Sequence, residues 1–286
     1  MNTVTLACSS SAFADISLVE AIRKIANIGY PAVDILAGHE MIDEDYPYDN
    51  VLQRIKAELN NHNMLVSNIT IGDSLPHASI SSTSMPPAER NIWSDLQHIC
   101  RVKHYIKVAR ALNCSSVTVS PGRITGKPVD LAQISNLISG LNEVTKFGRG
   151  LGVVVGITYG PGLTINNAEL IKPILIKCRG LKLSFHVGNS HMACETPCRI
   201  AADFKHSLSH IYIADIGSGD RLYLVPGMGE IEWISFFRTL RWIGYNKFVT
   251  VDLSSYRDNP TWAATRAYYY LTNIINGLKQ ANKQSA

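Results

Sequence analysis

Eight short apolar runs, rich in β-branched residues and separated by stretches of different spacing, constrain this chain more than any other feature. They are "VTLACS" from Val4, "AVDIL" from Ala32, "MLVSNIT" from Met64, "SVTVS" from Ser116, "VVVGITY" from Val153, "LKLSFHV" from Leu181, "IYIAD" from Ile211 and "FVTVDL" from Phe248. Apolar character this continuous marks strands buried on both faces, as in a parallel sheet covered by helices. The first intervening segment has helix signals at both ends: Ser17 and Glu20 stand at capping-box spacing and Gly29 is a stop signal. Leu18, Ile22 and Ile25 share its apolar face. Comparable helical segments fall at about 91–111, 130–148, 165–178, 232–240 and 260–279.

Strand-helix alternation implies parallel strands joined by right-handed crossovers, and eight such units predict a closed (β/α)8 TIM barrel, an α/β fold. An open doubly wound sheet fits less well, because no strand runs into the glycine-rich phosphate turn of a dinucleotide fold. The 286 residues match one barrel, so a single domain over 1–286 is expected. The Ser- and Pro-rich stretch "GDSLPHASISSTSMPPAE", residues 72–89, follows the third strand and reads as a long loop or lid over the barrel mouth.

Charge and composition narrow the partners. The net charge of +4 is mild and its basic residues are scattered, which excludes a phosphate-backbone footprint and therefore nucleic acid. Without an apolar run near the ~20 residues that span a bilayer, and without an export signal at the N-terminus, no membrane partner is expected and the cytoplasm is the expected compartment. Six cysteines spread through a large domain read as reduced thiols, not a disulfide framework. A small-molecule substrate is the expected partner. The exposed helices of a barrel also allow a homodimer, with no interface legible in the sequence.

The site of a TIM barrel lies at the C-terminal ends of its strands. The polar residues there are Asp34 after the second strand, Ser120 and Arg123 after the fourth, and Thr158 and Tyr159 after the fifth. His186, Asn189 and His191 follow the sixth, Tyr212 and Asp215 the seventh, and Asp252 the eighth. The order of elements, "GYPAVDIL", "HVGNSHMACE", "VPGMGEIEW" and "IGYNKFVTVDL" resemble the sugar phosphate isomerase/epimerase group with the xylose isomerase-like TIM barrel. The likeness covers nearly the whole chain and is most specific from 151 to 256. It implies a divalent metal held by a strand-five glutamate, a strand-six aspartate with a histidine three residues on, a strand-seven histidine three residues before an aspartate, and a strand-eight glutamate.

This chain departs from that pattern at most positions: Thr158, His186, Asn189, Tyr212 and Asp252 stand in place of those ligands, while Asp215 is retained. Pro226, Gly227, Gly229, Glu230 and Ile231 preserve the group's PG-x-G-E-I segment, with Met228 where an acid is common. A hard divalent cation favours anionic oxygen donors, and the exchanges to Thr158 and Asn189 supply none. The expectation is therefore no cofactor and no metal. A displaced zinc site from His191, Cys194 and Cys198 is the alternative, at non-standard spacing.

Without metal, a barrel of this kind works by paired acid and base groups. His186 is the expected base, oriented by Asp252, with Tyr212 as phenol donor to a developing oxyanion, Asp215 as a further retained acid and Asp34 as a second acid. Arg123 and Arg221 are candidate anion clamps, although either could bridge a surface acid instead. Thr158, Tyr159, Asn189 and His191 are candidate substrate contacts. The expected activity is isomerase- or epimerase-like proton transfer on a small polar carbonyl or polyol metabolite. The alternatives are a metal-independent lyase, dehydratase or cyclase of a biosynthetic pathway, or a non-catalytic relative that binds a metabolite or supports a partner subunit.

Overall fold

A computed structural model describes residues 4–39, 48–72, 92–124, 129–218 and 222–283. Eight parallel strands close into a barrel: β1 (Thr5–Ser9), β2 (Ala32–Leu36), β3 (Leu65–Ile71), β4 (Ser116–Val119), β5 (Val154–Ile157), β6 (Lys182–His186), β7 (Leu208–Ile213) and β10 (Phe248–Val251). Between the last two lies a small antiparallel pair, β8 (Asp215–Ile216) with β9 (Tyr223–Leu224). Closure comes from β1, which pairs Thr5 to Cys8 with Phe248 to Val251 on one side and Ala7 to Ser9 with Ala32 to Asp34 on the other. Asp34 of β2 and Asp252, the residue after β10, therefore flank the end of β1.

The helical layer is α1 (Leu18–Ile28), α2 (Tyr48–Asn61), α3 (Leu96–Ala111), α4 (Leu131–Gly150), α5 (Ala168–Lys177), α6 (Val187–Met192), α7 (Pro197–Asp203), α8 (Trp233–Trp242) and α9 (Pro260–Lys283). Helix α1 begins and ends where its caps predict: the Ser17 hydroxyl accepts the Glu20 N–H, and Gly29 closes the helix in the left-handed region. Helix α2 lies outside the sequence expectation, yet Leu52, Ile55 and Leu59 show its buried face at spacings of three and four. Three and four residues are also the steps by which α1 buries its apolar stripe. Residues 73–91, which include nearly all of the expected lid at 72–89, lie outside the described residues. All six cysteines are free thiols.

Two register shifts decide what the barrel interior contains. Val33 pairs with Val66 but Asp34 with Asn68, and Leu183 pairs with Leu208 but Ser184 with His210, so Ser67 and Ser209 are extra residues on β3 and β7. Strand β7 thus starts three residues before the run expected from Ile211, because the bulge at Ser209 interrupts its apolar pattern. Hydrogen bonds then cross the barrel between strands that are not neighbours: Tyr212 to Thr118 and Asn68, Thr250 to Ser67, and Thr118 to Ser184. Where barrels of this kind usually stack Val, Ile and Leu, this one carries a hydroxyl-rich column. His210 sits in it, with Nε2 2.8 Å from the Thr250 hydroxyl, and burial, helped by the charge of Lys247, pushes its pKa down to about 3. It is a neutral structural imidazole.

Gly156 on β5 lets that column close, since a Cβ there would collide with the Ser184 and Ser209 hydroxyls. Gly156→Ala is therefore expected to destabilise the barrel by about 1–3 kcal/mol, the usual result of overfilling a packed interior. Urea unfolding of the variant beside the parent chain measures it, and an unchanged midpoint would contradict this account of the column.

Candidate active site

Asp34 is fully buried in the middle of β2, beside the end of β1, a position that only strong hydrogen bonding makes tolerable for a carboxylate. Its Oδ2 accepts from Ser9 Oγ at 3.0 Å and its Oδ1 from Asn68 Nδ2 at 3.0 Å and Tyr212 OH at 3.2 Å. Thr70 Oγ1 lies 2.8 and 2.9 Å from the two oxygens. Burial, the largest influence, raises the pKa of Asp34 to about 6, despite the lowering effect of Asn68, Thr70 and Ser9; the charge of Asp252 adds to the rise. Tyr212 completes the ring, with its OH 2.7 Å from Asn68 Nδ2 and 2.7 Å from Thr70 Oγ1. Burial and then the charge of Asp34 hold that phenol well above its ordinary pKa.

The second unit stands beside the first. His186 Nε2 is 3.3 Å from Asp252 Oδ2, and its imidazole stacks with Tyr223, at 4.6 Å between centroids, and with Tyr212, at 5.9 Å. Burial alone would raise the pKa of Asp252, but the hydrogen bond and charge of His186, with the Ser254 N–H, hold it below the ordinary value. Asp252 Oδ1 accepts from the Ser254 N–H at 3.0 Å and from Ser11 Oγ at 3.4 Å.

The hydrogen bonds of the imidazole bear on which partner could act as base. His186 Nδ1 accepts the Asn189 N–H at 3.3 Å, so in the neutral ring the proton sits on Nε2, facing Asp252. No lone pair of the imidazole is left for a substrate. Asp252 is also the more accessible partner, with 19% of its side chain exposed against 7% for His186.

The other candidates separate into distinct groups. Asp215, expected as an acid, is fully buried and saturated: it accepts N–H bonds from Ile216, Gly227 and Ile231 and from the Trp233 indole at 2.8 Å. It fastens the loop that follows β9 to the barrel, and a Cβ on Gly229 would run into the Ile216 carbonyl and Asp215 itself. The PG-x-G segment is thus a tight wrap around one carboxylate. Tyr159, a candidate substrate contact, is likewise buried and donates to Glu195 at 2.7 Å. Asn189 spends its amide on the Tyr159 carbonyl and its carbonyl on the Tyr223 hydroxyl.

Thr158 is half-buried at the end of β5, and its Oγ1 has no hydrogen-bond partner among the described residues. His191 lies half-buried in the last turn of α6, and Arg123 is exposed beside an antiparallel bridge to Leu163. Arg221 lies outside the described residues. Sequence reasoning missed Ser9, Ser11, Asn68, Thr70, Tyr223 and Glu195. The alternation of "MLVSNIT" carried a signal for Asn68 and Thr70, two polar residues one pleat apart in an otherwise apolar run.

The donor set does not suit the divalent ion of the resembled group. Thr158 is neutral, Asn189 has both ends of its carboxamide engaged, and His186 and Asp252 bind each other. Among the described residues, no three or more His, Cys, Asp or Glu side chains are grouped to hold a metal ion, the His191, Cys194 and Cys198 set included. No helix among them is long and apolar enough to cross a membrane.

Comparison with known proteins places this barrel. The family model for the xylose isomerase-like TIM barrel matches residues 22–270, and the chain belongs to that family. An uncharacterized protein of Methanocaldococcus jannaschii, MJ1311, is 22% identical over 265 residues, 87% of this chain and 84% of that protein. A crystal structure of a D-tagatose 3-epimerase-like protein aligns with TM-score 0.77 at 18% identity, covering 99% of this chain and all of that one. The probable 3-DHS dehydratase AsbF of Bacillus anthracis, involved in petrobactin synthesis, aligns with TM-score 0.74 at 10% identity over 94% of this chain and 99% of its own. At such identities the likeness is one of fold.

Two outcomes test the site. Folding raises the pKa of Asp34, so its contribution to stability is complete below about pH 4 and is lost as the pH climbs past 6, a swing on the order of 3 kcal/mol. Asp34→Asn should remove that swing, seen by urea unfolding of both chains at pH 4 and pH 7; equal pH dependence in the two would refute the buried, proton-retaining carboxyl. Asp215→Ala strands three buried N–H donors and is expected to lower stability by more than about 3 kcal/mol, whereas a near-neutral melting temperature would return Asp215 to the catalytic candidates.

Proposed function

We propose that this protein is an isomerase- or epimerase-like enzyme that moves a proton on a small polar carbonyl or polyol compound with protein side chains alone. The observation that supports this most is the pair of carboxyl groups flanking β1. Their surroundings drive them apart: burial lifts Asp34 to about 6, while His186 and Ser254 hold Asp252 below its ordinary value. Two acids separated in this way are the usual division into proton donor and proton acceptor.

In this reading Asp252, ionised and facing the mouth, takes the proton from the carbon beside the carbonyl. The Nε2–H of His186 fixes the carboxylate's orientation, and the stacked rings of Tyr212 and Tyr223 hold the imidazole in its plane. The electron pair moves into the carbonyl oxygen, which then needs a proton or a donor. Asp34 and its hydroxyl partners are the acid side of the site. The substrate is the one small-molecule partner the reading requires, and it calls for no cofactor.

The test is proton exchange. The chain, treated with chelator, is incubated in D2O with a panel of ketoses and hydroxy-aldehydes, and NMR follows deuterium entering the carbon beside the carbonyl. Asp252→Asn is expected to lose about 10²–10⁴-fold in rate and His186→Gln a smaller factor, since one removes the base and the other its orientation. Exchange that begins only when manganese is added would overturn the side-chain mechanism. Ligand binding with no exchange on any compound would mark a non-catalytic relative.

A further inference from the structure

We propose that the Thr70 hydroxyl is the group through which the buried acid reaches substrate, relaying a proton between Asp34 and the oxygen of the bound carbonyl compound. The inference rests on the acid-base reading above and adds to it a residue with a defined step. Asp34 and Asn68 are fully enclosed, and Ser9 and Tyr212, the other side chains that bond Asp34, are buried. An acid with no exit cannot protonate anything. Thr70 is the member of this ring that is half-buried, and its Oγ1 lies within 2.9 Å of both carboxyl oxygens.

Proton counting supports the role. With Asp34 ionised, the ring is satisfied when Ser9, Asn68 and Thr70 all donate to the carboxylate and Tyr212 turns its proton to Thr70 or Thr118. With Asp34 protonated, the carboxyl must itself donate, and Thr70 Oγ1 is the hydroxyl within reach of either oxygen. Thr70 then turns its own proton away from the carboxyl, either to the Tyr212 oxygen 2.7 Å distant or out to the mouth. In the forward step the O–H bond of Thr70 breaks toward the substrate oxygen as the Asp34 proton bonds to Oγ1. Asp34 is left as carboxylate, and the hydroxyl is restored without net change. When the carbonyl reforms, the substrate O–H proton returns through Thr70 to Asp34, and Asp252, its proton exchanged with solvent at the mouth, gives one back to carbon, so charge and atoms balance over the cycle. No oxidant or further reactant enters.

The same ring places Thr70 near the base. Its Oγ1 touches Tyr212, Tyr212 stacks on His186, and His186 bonds Asp252. The acid and base ends of the site are therefore three contacts apart around one mouth.

The relay is tested first without any substrate. In protein labelled at tyrosine Cζ, NMR measures how fast the Tyr212 hydroxyl proton exchanges with water, the signal being assigned by its loss in Tyr212→Phe. Thr70→Val should slow that exchange by on the order of ten-fold, and Thr70→Ser should keep it near the parent rate. Thr118→Val removes the hydroxyl on the inner side of Tyr212 and should leave the rate unaltered. With any compound that exchanges deuterium, Thr70→Val should lower kcat by about 10²-fold with KM little moved, and Thr70→Ser should restore it. Rapid Tyr212 exchange in a folded Thr70→Val chain would overturn the relay. If that variant fails to fold, slowed exchange in Thr118→Val would overturn it instead, since the path would then run down the barrel. Thr70-dependent exchange in a chain that turns over no compound would leave the relay standing and remove the enzymatic reading.

Discussion

The enclosure of one carboxyl group, that of Asp34, is the constraint around which the mouth of this barrel is arranged. A charge in the interior is tolerable only when nearly every lone pair is met by a donor, and here the donors come from β1, β3 and β7 at once. That demand ties Tyr212 to the far wall. Tyr212 in turn gives His186 a stacking surface, and His186 orients Asp252. Asp34 and Asp252 are thus parts of a single hydrogen-bonded and stacked assembly.

The site and its supports use the same kind of residue for opposite purposes. Asp215 and Glu195 are carboxylates that work as fasteners: Asp215 is closed off by loop amides and an indole, and Glu195 by the Ala168 N–H and the hydroxyls of Tyr159 and Ser190. Asp34 is bonded mainly by hydroxyls, and Asp252 keeps an exposed edge. What distinguishes Asp34 from Asp215 is the partner's chemistry. A backbone amide cannot pass a proton on, whereas a hydroxyl both accepts and donates.

Membership of the xylose isomerase-like family accounts for the frame and sharpens the contrast within it. Neutral Thr158 and Asn189 stand where the resembled group supplies ligands, and the polar demand of the interior is met by hydroxyls and one neutral imidazole. Networks of this sort strengthen one another in a low dielectric when fully satisfied. The hydroxyl column beneath Tyr212, closed by Gly156, gives the ring its floor.

Period and order along the chain determined the barrel. Eight apolar runs alternating with capped helices leave little else to fold into, and Asp34, His186, Tyr212 and Asp252 were legible because strand ends converge in this architecture. Helix α2 was equally written, in the spacing of Leu52, Ile55 and Leu59. Only the tertiary structure decided which nitrogen of His186 faces which neighbour, that Asp215 and Tyr159 are fasteners, and that Ser9, Thr70 and Tyr223 belong to the site. The reason is physical: periodicity reports which face of an element is buried, while a polar side chain's role depends on partners set by register. The two bulges, at Ser67 and Ser209, moved that register by one residue each, and a shift of one residue in a strand exchanges inside for outside.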